Sequence, residues 1–159
     1  MRSLLPLIIA TALLSGCGGA PPESKQEASA PAPKPRTMPA PEDRRFPVEG
    51  RIEVVQSAGP LYGKAFLTGG NVARYKKGTK PFELFLIRVP APGDPGMMLF
   101  DYKNVLANAK FVAHFGGYAG QDEGVNVFIF TKGEWLAGVR GLPLAEADAI
   151  SREFAARLN

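Results

Sequence analysis

Apolar and polar positions change their period several times along the chain, and each change marks an element. Phe82 to Val89 (FELFLIRV) is the clearest strand: Leu84 and Leu86 point to one side and Phe85 and Ile87 to the other, so both faces are expected to be covered. Arg51 to Gln56 (RIEVVQ) reads as an earlier strand. Between the two, the Gly-rich stretch from Gly59 to Gly78 suggests only short strands, near Lys64–Leu67 and Val72–Tyr75. Asp94 followed by Pro95 is a helix start, an N-cap acceptor ahead of a residue whose missing N–H is not needed in the first turn. The helix is expected to run to about Asn108, with Met98, Tyr102, Val105 and Leu106 along one stripe and the apolar run from Met97 to Phe100 used in packing.

Phe111 to Phe115 then reads as a strand, followed by a loop holding Gly116, Gly117, Gly120 and Gly124. Val125–Thr131 and Trp135–Arg140 form a hairpin around Lys132-Gly133. Pro143 opens a last helix with Leu144, Ala147, Ile150, Phe154 and Leu158 on one side. On its outer side Asp148–Arg152 and Glu153–Arg157 stand four apart, acid first, the spacing that lets the pairs meet. From Phe82 onward the order is β-α-β-β-β-α, which predicts an α+β fold: a mostly antiparallel sheet with two helices, expected on one face.

Ahead of all this, Leu4 to Leu14 is an apolar stretch behind the single positive charge of Arg2. A membrane-spanning helix needs about 20 residues, so the stretch reads as the core of a secretion signal. It ends in Leu14-Ser15-Gly16-Cys17. Small residues at 15 and 16 suit an extended backbone entering a peptidase cleft, and Cys17 offers a thiol for acylation. The motif resembles the lipobox of bacterial lipoproteins. That resemblance implies cleavage before Cys17, acylation of its sulfur and new amine, and attachment to a lipid bilayer. Each buried acyl CH₂ contributes about 0.8 kcal/mol, so two or more chains hold where one does not. Gly18, rather than Asp, follows the cysteine, which by the same resemblance favours the periplasmic face of the outer membrane in a Gram-negative cell.

Composition sharpens the division into a signal at 1–16, an anchored linker at 17–45 and a domain at 46–159. Residues 18–45 hold seven of the 15 prolines and no aromatic residue, whereas residues 46–159 hold all ten Phe, all four Tyr and the only Trp. The linker is expected to be disordered, with a tendency to polyproline II. At roughly 3.1 Å per residue it would reach on the order of 80 Å. With Cys17 as the one cysteine, the domain has no thiol for disulfides, catalysis or metal. The pI of about 9.3 invites a nucleic-acid reading, but the domain carries 13 basic and 11 acidic residues, a net +2. That is too small a field for phosphate-backbone binding, and no nucleic-acid partner is expected.

Candidate chemistry is sparse. Arg74, Tyr75, Lys76, Lys77 and Lys80 concentrate positive charge around one turn, a candidate contact for an envelope protein or an anionic lipid surface. Gly116, Gly117, Tyr118 and Gly120 form the candidate ligand loop, although they match no phosphate-loop spacing. His114 is the one histidine. As a general base it would need Ser57 or Ser151 and an Asp, and neither serine lies in a nucleophile-elbow context. Asp122-Glu123 reads as a solvated acidic pair, short of the six or more oxygens calcium takes. No catalytic set, metal or cofactor is expected. The sequence points to a non-catalytic binding or accessory module on a lipid anchor. The alternatives are a small-ligand-binding or sensing domain and, behind it, a hydrolase using His114.

Overall fold

The computed structural model describes residues 42–158. The signal segment, the Leu14-Ser15-Gly16-Cys17 motif and the linker up to residue 41 lie outside the described residues. Seven strands follow one another as β1 (Arg51–Ser57), β2 (Gly70–Lys77), β3 (Lys80–Arg88), β4 (Ala107–Val112), β5 (Gly117–Asp122), β6 (Val125–Lys132) and β7 (Trp135–Arg140). Helix α1 (Pro95–Val105) lies between β3 and β4, and α2 (Leu144–Ala156) follows β7. Every strand pair is antiparallel, in the order β1-β2-β3-β7-β6-β5-β4. The α+β class expected from the pattern is the one found.

The two helices do not share a face. Leu84 and Leu86 of β3 pack in one cluster with Phe128, Phe130, Ala147 and Phe154, whereas Phe85 and Ile87 pack in another with Leu99, Tyr102, Ile129 and Leu136. The cause is the double-sided apolar character of the inner strands, which leaves two surfaces to cover and one helix for each. Chain segments complete both layers. Phe46 covers the α2 side, and Leu61, which opens a 3-10 turn at Leu61–Gly63, and Leu67 beyond it cover the α1 side. Residues 64–67, where a short strand was expected, form a further turn in which the Leu67 N–H donates to the Lys64 carbonyl at 2.9 Å.

Local signals set several ends. The Asp94 side chain accepts from the Gly96 N–H at 2.7 Å and caps α1. The helix stops at Val105, short of Asn108, because Leu106 turns to extended backbone and is buried. The next strand therefore begins earlier than expected, at Ala107, and Asn108 sits in it with φ 54° at an irregularity of the register.

The largest difference lies at the expected Gly-rich loop, which is strand β5. It pairs with β4 (Tyr118 opposite Phe111) and with β6 (Gly120 opposite Val127). The order after Phe82 is thus β-α-β-β-β-β-α. Gly117 works here by what it lacks: a Cβ would collide with the Ile129 carbonyl oxygen. Gly138 in β7 does the same for the core, lying opposite Phe85 and leaving room for that ring. In such positions glycine serves close packing between strands, the opposite of its usual weakening of a strand interior.

Packing also starts ahead of Phe46. Asp43–Arg45 form a 3-10 turn; Arg51 meets the Asp43 carboxylate at 2.8 Å and the Arg45 guanidinium lies 4.6 Å from the Trp135 ring centroid.

Candidate functional site

Strand alternation divides the basic turn. Arg74 lies across from Glu53 and Glu83 in the neighbouring strands and pairs with both, at 2.5 and 3.5 Å. Tyr75, one position on, faces the α2 layer. It is buried, stacks on Phe82 at 4.9 Å and donates its hydroxyl to the Pro47 carbonyl at 2.7 Å, and burial pushes its phenol up. Lys77 and Lys80 flank Gly78 and reach Glu146 in the first turn of α2 at 3.3 and 3.5 Å. The Lys77 hydrogen bond, with the Lys80 charge, holds the Glu146 carboxyl below its usual value. Only Lys76 of the five is exposed and without an ion pair among the described residues. The five residues are not one cationic surface.

Three of them instead frame a groove. A cavity of about 460 Å³ opens between Pro47–Gly50, the β2–β3 hairpin and α2. Tyr75 and Ile150 form its floor, and its rim carries both signs, Lys76 and Lys77 against Glu49 and Glu153.

The candidate ligand loop is used differently. Gly116 belongs to the β4–β5 turn, and Gly117, Tyr118 and Gly120 lie within β5, where the ladders to β4 and β6 take up the strand's backbone. A phosphate cradle needs free N–H groups, which a strand paired on both sides does not offer. Tyr118 packs against Phe111 at 5.4 Å.

His114 is in that same turn, not in a strand. Its Nε2 contacts Asp148 Oδ1, while Arg152 donates to Asp148 Oδ2 at 2.8 Å. Arg152 first, and His114 with it, keep the Asp148 carboxyl below the ordinary carboxylate range. The serines do not join them. Ser57 ends β1, at the opposite edge of the sheet from the β4–β5 turn, and donates to the Gly59 carbonyl at 3.1 Å. Ser151 is fully buried on the sheet side of α2, where a substrate cannot reach its hydroxyl.

Asp122 is the clearest correction to the sequence reading. Expected in solvent beside Glu123, it is 2% exposed. One of its oxygens meets Lys64 Nζ at 2.8 Å; the other meets Arg140 at 2.6 Å and accepts from the Tyr102 hydroxyl at 3.2 Å. Burial alone would raise its pKa, but the hydrogen bonds from Lys64 and Arg140 outweigh that and lower it. Glu123 stays exposed, 3.6 Å from Lys64. Apart from Arg74, the other members of this network are not among the residues that the sequence singles out. Glu53, Arg74, Glu83 and Arg140 stand opposite one another in four consecutive strands, a transverse row of alternating sign. Tyr62 closes it, donating to Glu83 at 3.2 Å beneath the Arg140 guanidinium, which lies 4.3 Å from its ring centroid. The available signal was a charge inside one apolar strand, Glu83, and a charge at the end of another, Arg140.

Among the described residues no three of His, Cys, Asp and Glu gather as metal ligands, and no helix is long and apolar enough to cross a membrane. The chain matches no family model, no curated protein and no solved structure.

Proposed function

We propose that the chain is a bacterial envelope lipoprotein, acylated at Cys17, whose α+β domain is a non-catalytic binding or accessory module. The observation that carries this reading is the sequence Leu14-Ser15-Gly16-Cys17 directly after an apolar stretch too short to span a bilayer. In a Gram-negative cell Gly18 favours the periplasmic face of the outer membrane. The Pro/Ala-rich residues 18–45 suit a spacer, and the mixed-sign groove above Tyr75 and Ile150 is the surface offered to an envelope protein.

The anchor is tested by expression in a bacterium with a radiolabelled fatty acid. The native chain should incorporate label and sediment with membranes, and Cys17→Ala should lose the label entirely. An unlabelled native chain ends the reading. The groove is tested separately by a photo-crosslinking residue at Lys76, with one at Lys132 in the β6–β7 hairpin as control. A discrete adduct in intact cells is expected from position 76 alone. The same pattern from both positions, or no adduct from position 76, removes the groove from the proposal.

A further inference from the structure

Arg140 is held more firmly than a surface arginine and is not fully used. Its NH1 group donates to the buried Asp122 carboxylate at 2.6 Å and to the Tyr102 hydroxyl at 3.4 Å, and the guanidinium lies over the Tyr62 ring. Nε and NH2 make no hydrogen bond to a described residue, and neither is a buried atom left without a partner. These N–H groups therefore reach solvent. Arg140 lines a cleft of about 310 Å³, whose walls include Ile52, Phe82 and Val125 together with the charged pair Arg74 and Glu83. Glu83 is already matched by Arg74 and by the Tyr62 hydroxyl, and the Arg140 charge by Asp122, so what the cleft leaves unused is the Nε and NH2 donors of Arg140 rather than net charge.

We propose that this cleft binds a small monocarboxylate with a short branched apolar group, its carboxylate on the free donors of Arg140 and its apolar end against Ile52, Phe82 and Val125. Guanidinium donors lie in a fixed plane that matches the two oxygens of a carboxylate. Here the plane is set in advance by Asp122 on one edge and Tyr62 beneath, so little side-chain freedom is lost on binding. The volume lies at the small end of ligand pockets. A dianion fits less well, because the second guanidinium, Arg74, is committed to Glu53 and Glu83. The cleft shares Tyr75 and Phe82 with the lining of the groove at Lys76 but draws on different charged residues, and it does not depend on the lipid anchor.

The probe is isovalerate, with isovaleramide as the uncharged match, titrated into the full chain in detergent and followed by saturation-transfer NMR. Millimolar binding of isovalerate is expected, at least tenfold weaker for the amide. Ile52→Glu puts a negative charge on the rim at a 65% exposed position, where folding is little affected, and should weaken isovalerate at least fivefold. Arg140→Lys keeps the charge beside Asp122 but loses the fork and should do the same. An arm with N-acetyl-Gly-Val separates the sources, tighter binding marking a peptide end and weaker binding a free acid, and either supports the site. Absence of saturation transfer, equal affinity for acid and amide, or unchanged affinity in Ile52→Glu overturns it.

Discussion

Replacing Phe46 with alanine is expected to destabilise the domain by about 3–5 kcal/mol, the range for deleting a buried phenylalanine. The residue precedes the first strand, yet it has no exposed surface and stacks on Phe154 of α2 with ring centroids 5.2 Å apart. Phe154 in turn sets its edge against Phe130 of β6, at 6.4 Å. Truncating Phe46 therefore opens a cavity under a helix and a sheet that cannot both close on it. Urea unfolding of the full chain reads the effect as a lower midpoint at similar slope. Val48, two residues on and 67% exposed, is the control, since Val48→Ala should stay within about 0.5 kcal/mol of the native chain. Equal effects at both positions would mean that residues 42–50 are not part of the core.

Asp122→Ala carries the second large effect, again about 3–5 kcal/mol, because it leaves Lys64 and Arg140 facing each other with their side chains mostly buried and their shared counter-charge gone. Its sign with pH is fixed by the direction of the shift. The native carboxyl titrates below its unfolded value of about 3.9. The stabilisation is therefore fully present above that value and is lost as pH falls through the lower native one. Unfolding midpoints of the native chain and of Asp122→Ala should differ most near pH 6 and converge toward pH 2. A constant difference across that interval would show that the carboxylate charge is not what holds Lys64 and Arg140.

What the sequence discloses depends on how local the cause is. The Asp94 cap, strands β3, β6 and β7 and the two i,i+4 pairs of α2 depend on residues a few positions apart, and each stands where the pattern puts it. Strand β5 does not follow from its own residues, which include two glycines. It is a strand because β4 and β6 hold it on both sides, and Gly117 is needed because Ile129 is close. Double-sided burial of β3 was legible, but the helix that takes each face is decided by strand order, with β7 inserted beside β3.

The site follows the same rule. The basic residues at 74–80 look contiguous in sequence, and strand alternation separates them, Arg74 to Glu53 and Glu83, Lys77 and Lys80 to Glu146. Asp122, Lys64 and Arg140 look unrelated in sequence, and the fold brings them together.

The 3-10 turn ahead of β1 and the end of α2 are neighbours: Arg45 donates to the Arg157 carbonyl at 3.4 Å. A domain whose two ends touch can be rewired. A short Gly/Ser bridge from Leu158 back to Glu42, with the chain reopened at the Gly133 turn, would leave every sheet ladder intact. Such a circular permutant would present the β6–β7 hairpin as its new pair of termini, on a body otherwise unchanged.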